Sequence, residues 1–157
     1  MTVTLTCRLA ESAFDPWDEL RQFAQASQGA GAVSSFTGTA RPLSSDGEAV
    51  EAVEAMFLDH HPRLTLESMR AIVDAAARFG CDHRLVIHRC GVVLPGEPIV
   101  LVAAASAHRR AAIAAVEYMI DRLKTDAVFW KREDRASSSA WIEPSAEDRA
   151  AHARWEQ

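Results

Sequence analysis

The chain has 157 residues, of which 48% are hydrophobic and 25% charged, a composition typical of a folded globular protein and not of a disordered or fibrous one. Its formal net charge of −5 argues against a general nucleic-acid-binding protein, which would carry a basic domain. The longest apolar run, residues 99–105, is far shorter than the ~20 residues that cross a bilayer, and the first residues lack the layout of a signal peptide. We therefore expect a cytoplasmic protein that forms one compact domain over residues 1–157.

The cysteine content also favours the cytoplasm. Cys7, Cys81 and Cys90 are odd in number, and no two of them form a Cys-x-x-Cys pair. They predict reduced thiols, not a disulfide framework or a zinc site.

Strand and helix patterns alternate along the chain, which predicts a mixed α+β fold. Period-two alternation predicts a first strand at residues 3–9, and Asp15-Pro16 predicts the start of a helix that runs to about Ser27. Further strands are predicted at residues 32–40, 49–58, 84–90, 99–105, 127–131 and 140–142, with a hairpin-like connection at 91–98. Further helices are predicted at residues 66–79, 107–124 and 146–155, with Thr65, Ser106 and Ser145 as their N-caps.

Two patterns that suggest cofactor or metal sites do not meet the requirements of those sites. Gly29, Gly31 and Gly38 miss the dinucleotide-binding spacing because Ser34 occupies the third glycine position. Asp59-His60-His61 suggests metal ligands, but neighbouring residues of an extended segment point to opposite faces and no third ligand follows at a recognised spacing. We therefore predict neither a metal nor a cofactor.

Positive charge is concentrated in residues 107–135, which hold seven Lys/Arg against five Asp/Glu. His108 and Arg109 fall in the first turn of a predicted helix, where free N–H groups and the helix dipole favour an anion. Lys124 and Lys131 flank the apolar pair Phe129-Trp130, and an amine in such surroundings serves as an acid, a base or a nucleophile. Exposed charge on a surface helix and ordinary compensation of the helix dipole are the alternative explanations.

These motifs occur together, in order, over nearly the whole chain. They are residues 31–41 (GAVSSFTGTAR), 58–62 (LDHHP), 87–91 (IHRCG), 95–97 (PGE), 106–109 (SAHR), 123–125 (LKT), 129–133 (FWKRE) and 141–143 (WIE). With them the chain resembles the large, catalytic subunit of molybdopterin synthase.

The resemblance implies a fold and an activity. The expected fold is an α/β hammerhead with an additional antiparallel β subdomain. The expected enzyme is a sulfurtransferase of molybdenum cofactor biosynthesis, which converts cyclic pyranopterin monophosphate to molybdopterin. Its sulfur comes from the C-terminal Gly-Gly thiocarboxylate of a small ubiquitin-like carrier subunit, and a homodimer of large subunits forms the centre of a heterotetramer.

The same resemblance implies the site residues. Lys124 and Lys131 are the expected catalytic residues, and substrate binding is expected of Thr39, Ala40, Arg41, His108, Arg109, Arg132 and Glu133. His108 and Lys124 stand sixteen residues apart on one predicted helix, which corresponds to about 24 Å. If both serve one site, a second copy of the chain has to supply one of them, so we predict a pocket shared across a two-fold dimer.

Two alternatives remain open at this point. The first is a non-catalytic relative that keeps the dimer and serves as a scaffold binding a pterin or a partner. The second is a metal-dependent hydrolase built on Asp59, His60 and His88.

Overall fold

The computed structural model describes residues 5–43 and 52–156. The helices are α1 (Pro16–Ala26), α2 (Leu64–Ala75), α3 (Arg109–Thr125) and α4 (Ala146–Ala153), and a 3₁₀ turn, Ala76–Phe79, follows α2. The strands are β1 (Leu5–Ala10), β2 (Ala32–Thr39), β3 (Ala55–His60), β4 (His83–Arg89), β5 (Gly91–Val93), β6 (Pro98–Ser106), β7 (Phe129–Asp134) and β8 (Ser139–Ile142).

The first sheet has the strand order β1-β4-β6-β2, with β1 parallel to β4 and the other pairs antiparallel. The side chains of the central strands β4 and β6 point alternately to two faces, and most of them are buried on both, as expected when helices cover both sides. One face packs on α1 through Phe23 and Leu101, and the other packs on α2 and α3 through Met69 and Met119. The predicted mixed α+β domain is therefore confirmed.

The second sheet is antiparallel, with the order β5-β3-β7-β8. A small core of Ala40, Met56, Leu58 and Val93, with Ile99 beside it, packs this sheet against the first. Ala40 follows β2 and Ile99 belongs to β6, so the contact lies where those two strands meet the second sheet.

Two of the predicted helix starts are confirmed. The Asp15 carboxylate accepts hydrogen bonds from the N–H groups of Trp17 and Asp18, with Pro16 as the first helical residue. Ser145 forms a capping box with Asp148 at the start of α4.

Two predicted caps are wrong. Thr65 lies inside the first turn of α2 and Arg63 is the N-cap, because the Thr65 hydroxyl is engaged by the His61 N–H and the Val128 carbonyl. Ser106 is the last residue of β6, and its hydroxyl donates to the Gly80 carbonyl. The N-cap of α3 is His108.

Some strand boundaries also differ from the prediction. The connection predicted at residues 91–98 contains the short strand β5, which pairs with β3. The strand predicted at residues 49–58 corresponds to β3, Ala55–His60. Residues 49–51 of that prediction, and residues 3 and 4 of the predicted first strand, lie outside the described residues.

Gly31 explains how the start of β2 lies against the segment before α3. A Cβ atom at this position would collide with the carbonyl oxygen of Ala107. Only glycine permits this approach of two backbones, and it fixes where α3 begins relative to the first sheet.

All three cysteines are free, and burial raises the pKa of each thiol, that of Cys7 to about 11. Thiols held in the protonated form are poor nucleophiles. In residues 5–43 and 52–156, no helix has the length and apolar character needed to span a membrane.

Candidate functional site

Lys124 lies in the last turn of α3, where its side chain is exposed. It lines a cavity of about 60 Å³ between α3 and the first sheet. The other residues around this cavity are Phe36, His88, Val100, Val102, Ile120 and Leu123. Within the described residues no hydrogen bond or ion pair holds the Lys124 ammonium, so the amine is available to a ligand.

Lys131 lies on β7, whose side chains alternate between two faces. Phe129, Lys131 and Glu133 share one face. The Phe129 ring stacks on the ring of His88, which belongs to the first sheet, with 4.1 Å between the ring centroids. Lys131 therefore lies on the face that is turned toward the first sheet, and its Nζ is 3.5 Å from Oε1 of the buried Glu133.

The two lysines lie within electrostatic reach of the same carboxyl group. Burial of Asp148 would raise its pKa, but hydrogen bonds from Ser145 and the positive charges of Lys124 and Lys131 hold that pKa below its ordinary value. Asp148 stands in the first turn of α4. The C-terminal end of α3, the first half of β7 and the N-terminal end of α4 therefore lie near one another.

Residues 39–41 leave the first sheet at the same end. Gly38 and His88 both pair with Val100 of β6, and β2 ends at Thr39, which pairs with Pro98. The buried Ala40 exchanges backbone hydrogen bonds with the turn before β6, where its N–H donates to the Glu97 carbonyl. The exposed Arg41 follows directly, so its guanidinium belongs to the end of the sheet that carries Lys124.

His108 and Arg109 lie at the opposite end of the molecule. The chain reaches them from Ser106, which pairs with Ala32 at the far end of β6. His108 has an extended backbone (φ −129°, ψ 139°), and its side chain makes no capping hydrogen bond. The length of α3 places this pair about 24 Å from Lys124. One copy of the chain does not bring the two groups together.

Arg132 points away from Lys131, to the outer face of the second sheet. Its guanidinium pairs with Asp134, with Nε 2.8 Å from Oδ1, and lies over the rings of Phe57 and Trp141 at 5.0 and 5.5 Å. The structure therefore separates Arg132 from Lys131 and Glu133, the other two residues of the FWKRE motif that were expected to belong to the site.

The residues considered as metal ligands have local structural roles. The Asp59 carboxylate accepts the His60 N–H, and His61 Nδ1 accepts N–H groups at the start of α2. In the register of β3 and β7, Asp59 lies opposite Trp130 and His60 lies opposite Phe129, so the two point to different faces. Across the described ranges, no three His, Cys, Asp or Glu side chains cluster in a way that would hold a metal ion.

One signal in the composition was missed. Of the seventeen Lys and Arg residues, only Lys124 and Lys131 are lysines. Every other basic position of this kind is an arginine, and several of these arginines form ion pairs, among them Arg8, Arg21, Arg122 and Arg154. A guanidinium does not lose its proton in proteins, whereas an amine does, so this contrast in composition singles out the two lysines as candidates for chemistry that uses an amine.

The chain is similar to known proteins over nearly its whole length. The sequence profile of the MoaE protein family matches residues 9–126. The chain is similar to the molybdopterin synthase catalytic subunit of Pseudomonas aeruginosa, with 40% identity covering 98% of this chain and 100% of the relative. It is also similar to that of Ralstonia nicotianae, with 42% identity covering 96% and 84%.

Solved structures share the fold. A molybdopterin biosynthesis MoaE protein from Burkholderia ambifaria superposes with a TM-score of 0.79 at 34% identity, covering 98% of this chain and 99% of that one. A chain in a complex of subunits 1 and 2 of molybdopterin-converting factor from Helicobacter pylori superposes with a TM-score of 0.71 over 86% and 88% of the two chains. Its identity is 20%, so this second likeness concerns the fold alone.

Proposed function

Because this chain belongs to the MoaE protein family, we propose that it is a sulfurtransferase, the catalytic subunit that converts cyclic pyranopterin monophosphate to molybdopterin. The curated relatives named molybdopterin synthase catalytic subunit match it over nearly its full length. Their name favours a catalytic protein over a scaffold that only binds a pterin or a partner. The second, antiparallel sheet is the candidate for the added subdomain of an α/β hammerhead, and the free thiols fit a cytoplasmic enzyme.

The observation that carries the proposal is that the two lysines of the chain lie within electrostatic reach of the same carboxyl group, that of Asp148. Sulfur transfer from a thiocarboxylate forms a bond from sulfur to a carbon of the pterin side chain, whose hydroxyl group takes up a proton and leaves as water. A water molecule then replaces sulfur at the acyl carbon and releases the carrier as a carboxylate. The first step needs a proton donor, and the second needs a base. Positioned amines supply both. We assign the acyl or pterin intermediate to Lys124 and acid–base assistance to Lys131, which Glu133 holds through an ion pair.

Binding of the phosphorylated substrate is assigned to cations at both ends of the protomer. Arg41 follows the last strand residues Thr39 and Ala40, and a guanidinium binds phosphate with two parallel hydrogen bonds. His108 and Arg109 lie at the start of α3, where unpaired N–H groups favour an anion. Arg132 faces the outer side of the second sheet, so its contribution to binding is indirect, through the position of β7.

A two-fold dimer reconciles the positions of these residues. Each pocket then combines Lys124, Lys131 and Arg41 of one protomer with His108 and Arg109 of the other. The sulfur donor is a small ubiquitin-like subunit with a C-terminal Gly-Gly thiocarboxylate, completing a heterotetramer. A solved two-subunit complex contains a chain with this fold, which is consistent with such a partner.

The decisive experiment replaces the amine without removing the charge. In Lys124→Arg the position stays cationic but no longer exchanges a proton, so single-turnover conversion by thiocarboxylated partner should fall at least about 100-fold. The measurement is mass spectrometry of the pterin after mixing. Arg21→Lys is the reverse exchange on the exposed face of α1 and should convert substrate at the wild-type rate.

The outcomes separate the two candidate functions. A wild-type rate in Lys124→Arg would refute the assignment of the amine. A wild-type protein that binds the charged partner and the pterin but converts neither would identify a scaffold.

A further inference from the structure

His88 occupies a position that the proposed chemistry does not yet use. It lies on β4 with its partly buried ring stacked on Phe129 of β7, at an interplanar angle of 23°. Phe129 stands two residues before Lys131, and Lys124 shares the cavity wall with His88. The imidazole therefore lies between the elements that carry the two lysines.

The hydrogen bond of the ring determines which nitrogen carries the proton. Nδ1 of His88 is 2.7 Å from the carbonyl oxygen of Arg89. Because a carbonyl oxygen only accepts, Nδ1 has to donate, and the neutral ring then has an unprotonated Nε2. Burial, with a smaller contribution from the charge of Lys124, lowers the pKa of His88 to about 4, so the ring is neutral at physiological pH.

The cavity contains few polar groups. Five of its seven lining side chains are hydrocarbon, namely Phe36, Val100, Val102, Ile120 and Leu123. Among the lining side chains, the ammonium of Lys124 is the donor that has no partner, and Nε2 of His88 is the acceptor that has none. A polar group placed against an apolar wall is stabilised when it finds such a partner.

We propose that His88 is a positioning residue for Lys124: a change of rotamer of the exposed Lys124 side chain brings its amine to Nε2 of His88, which accepts a hydrogen bond and holds that amine at the mouth of the cavity. This inference rests on the proposed function in that it gives Lys124 a role in turnover. The proposed contact forms in the protein alone, whether or not sulfur is transferred, so it is tested separately.

Two variants distinguish the acceptor from the packing of the ring. His88→Phe keeps an aromatic ring to stack on Phe129 but has no acceptor. His88→Gln loses the ring but places an amide oxygen near the position of Nε2. If His88 only packs, His88→Phe should behave as wild type and His88→Gln should be the impaired variant. If His88 positions Lys124, the order is reversed.

The first readout is trace acetylation of the two lysines in the complete, folded protein. Digestion before aspartate separates them, because Asp126 lies between Lys124 and Lys131. Loss of the acceptor frees the Lys124 amine, so in His88→Phe the ratio of Lys124 to Lys131 acetylation should rise about fivefold, and in His88→Gln it should stay near the wild-type ratio. Lys131 is the internal control for reagent and for folding.

The second readout is turnover. His88→Phe should lower kcat about tenfold with little change in KM, and His88→Gln should restore most of it. An unchanged acetylation ratio in His88→Phe would overturn the inference, even if Lys124→Arg is inactive. A raised ratio together with an active Lys124→Arg would support the contact and refute the catalytic role of Lys124.

Discussion

At the scale of single residues, the neutral state of His88 has a consequence for stability. The folded protein binds a proton at His88 only near pH 4, whereas an unfolded histidine binds one near pH 6.5. The unfolded state therefore takes up the proton first as the pH falls. Stability from the neutral ring is complete above about pH 6.5, decreases between pH 6.5 and 4, and changes no further below that range.

This predicts a difference between wild-type protein and either His88 variant. Between pH 6.5 and 4 the free energy of unfolding of the wild type should fall more steeply, by at most about 1.4 kcal/mol per pH unit. The carboxyl groups, including that of Asp148, are the same in all three proteins, so the comparison reports the loss of the His88 imidazole. Urea unfolding at a series of pH values measures it, and parallel curves for the wild type, His88→Phe and His88→Gln would contradict the buried neutral state.

Individual site residues were predictable to different degrees. The motifs were sufficient to single out Lys124 and Lys131, and the predicted α3 helix already separated His108 from Lys124. The outward direction of Arg132 was not predicted, because the strand was expected to end at Lys131 and therefore gave no alternation beyond it. The position of His88 beside Lys124 depends on β4, α3 and β7, which are distant in sequence and meet only in the folded protein.

At the scale of elements, caps were predictable where the hydroxyl or carboxylate had only local partners. Asp15 and Ser145 bind N–H groups two or three residues away, which a sequence pattern captures. Ser106 and Thr65 instead bond to carbonyls of Gly80 and Val128, distant segments with which they pack. Tertiary contacts thus override the local preference of these two residues for the cap position.

Contacts with α3 hold helix α4 in position. Asp121 of α3 accepts hydrogen bonds from Arg154 and from the indole N–H of Trp155. The Trp155 ring meets Tyr118 and Phe79 edge to face, with ring centroids 5.5 and 5.6 Å apart. These contacts hold the residues that follow α4 against the C-terminal half of α3, which carries Lys124.

Removing this attachment should cost stability. Trp155→Ala should lower the free energy of unfolding by about 2 kcal/mol, because a half-buried indole and its hydrogen bond are lost. Trp17→Ala makes the same change at a residue that is 65% exposed on α1, and should stay within about 0.5 kcal/mol of wild type. Urea midpoints measure both, and equal effects would show that Trp155 does not hold α4.

At the scale of the whole molecule, the lengths of two elements underlie the proposal that two chains form one site. Helix α3 and strand β6 lie along each other and both run from one end of the first sheet to the other. Each is about 25 Å long, so the cationic start of α3 and the lysine end face opposite edges of the protomer. A pterin is far shorter than this span. The proposed pocket therefore combines two protomers, arranged so that opposite ends meet.

Mixed dimers test this arrangement. A His108→Ala chain and a Lys124→Ala chain, each with its own affinity tag, should be inactive as homodimers. Their purified heterodimer contains one pocket with both residues intact, and should recover about half of the wild-type conversion rate because a two-fold dimer has two pockets. Failure to recover activity would place both residues of a site on one chain.

A second heterodimer distributes the same two substitutions differently between its chains and should give the opposite result. A wild-type chain joined to a His108→Ala/Lys124→Ala chain has one altered residue in each shared pocket, so this heterodimer should be nearly inactive. If each protomer contained its own complete site, the wild-type chain would retain about half of the activity of the dimer. Because both heterodimers contain one intact His108 and one intact Lys124, differences in folding or in total charge do not explain a difference in rate, and the comparison reports only which chain supplies which residue.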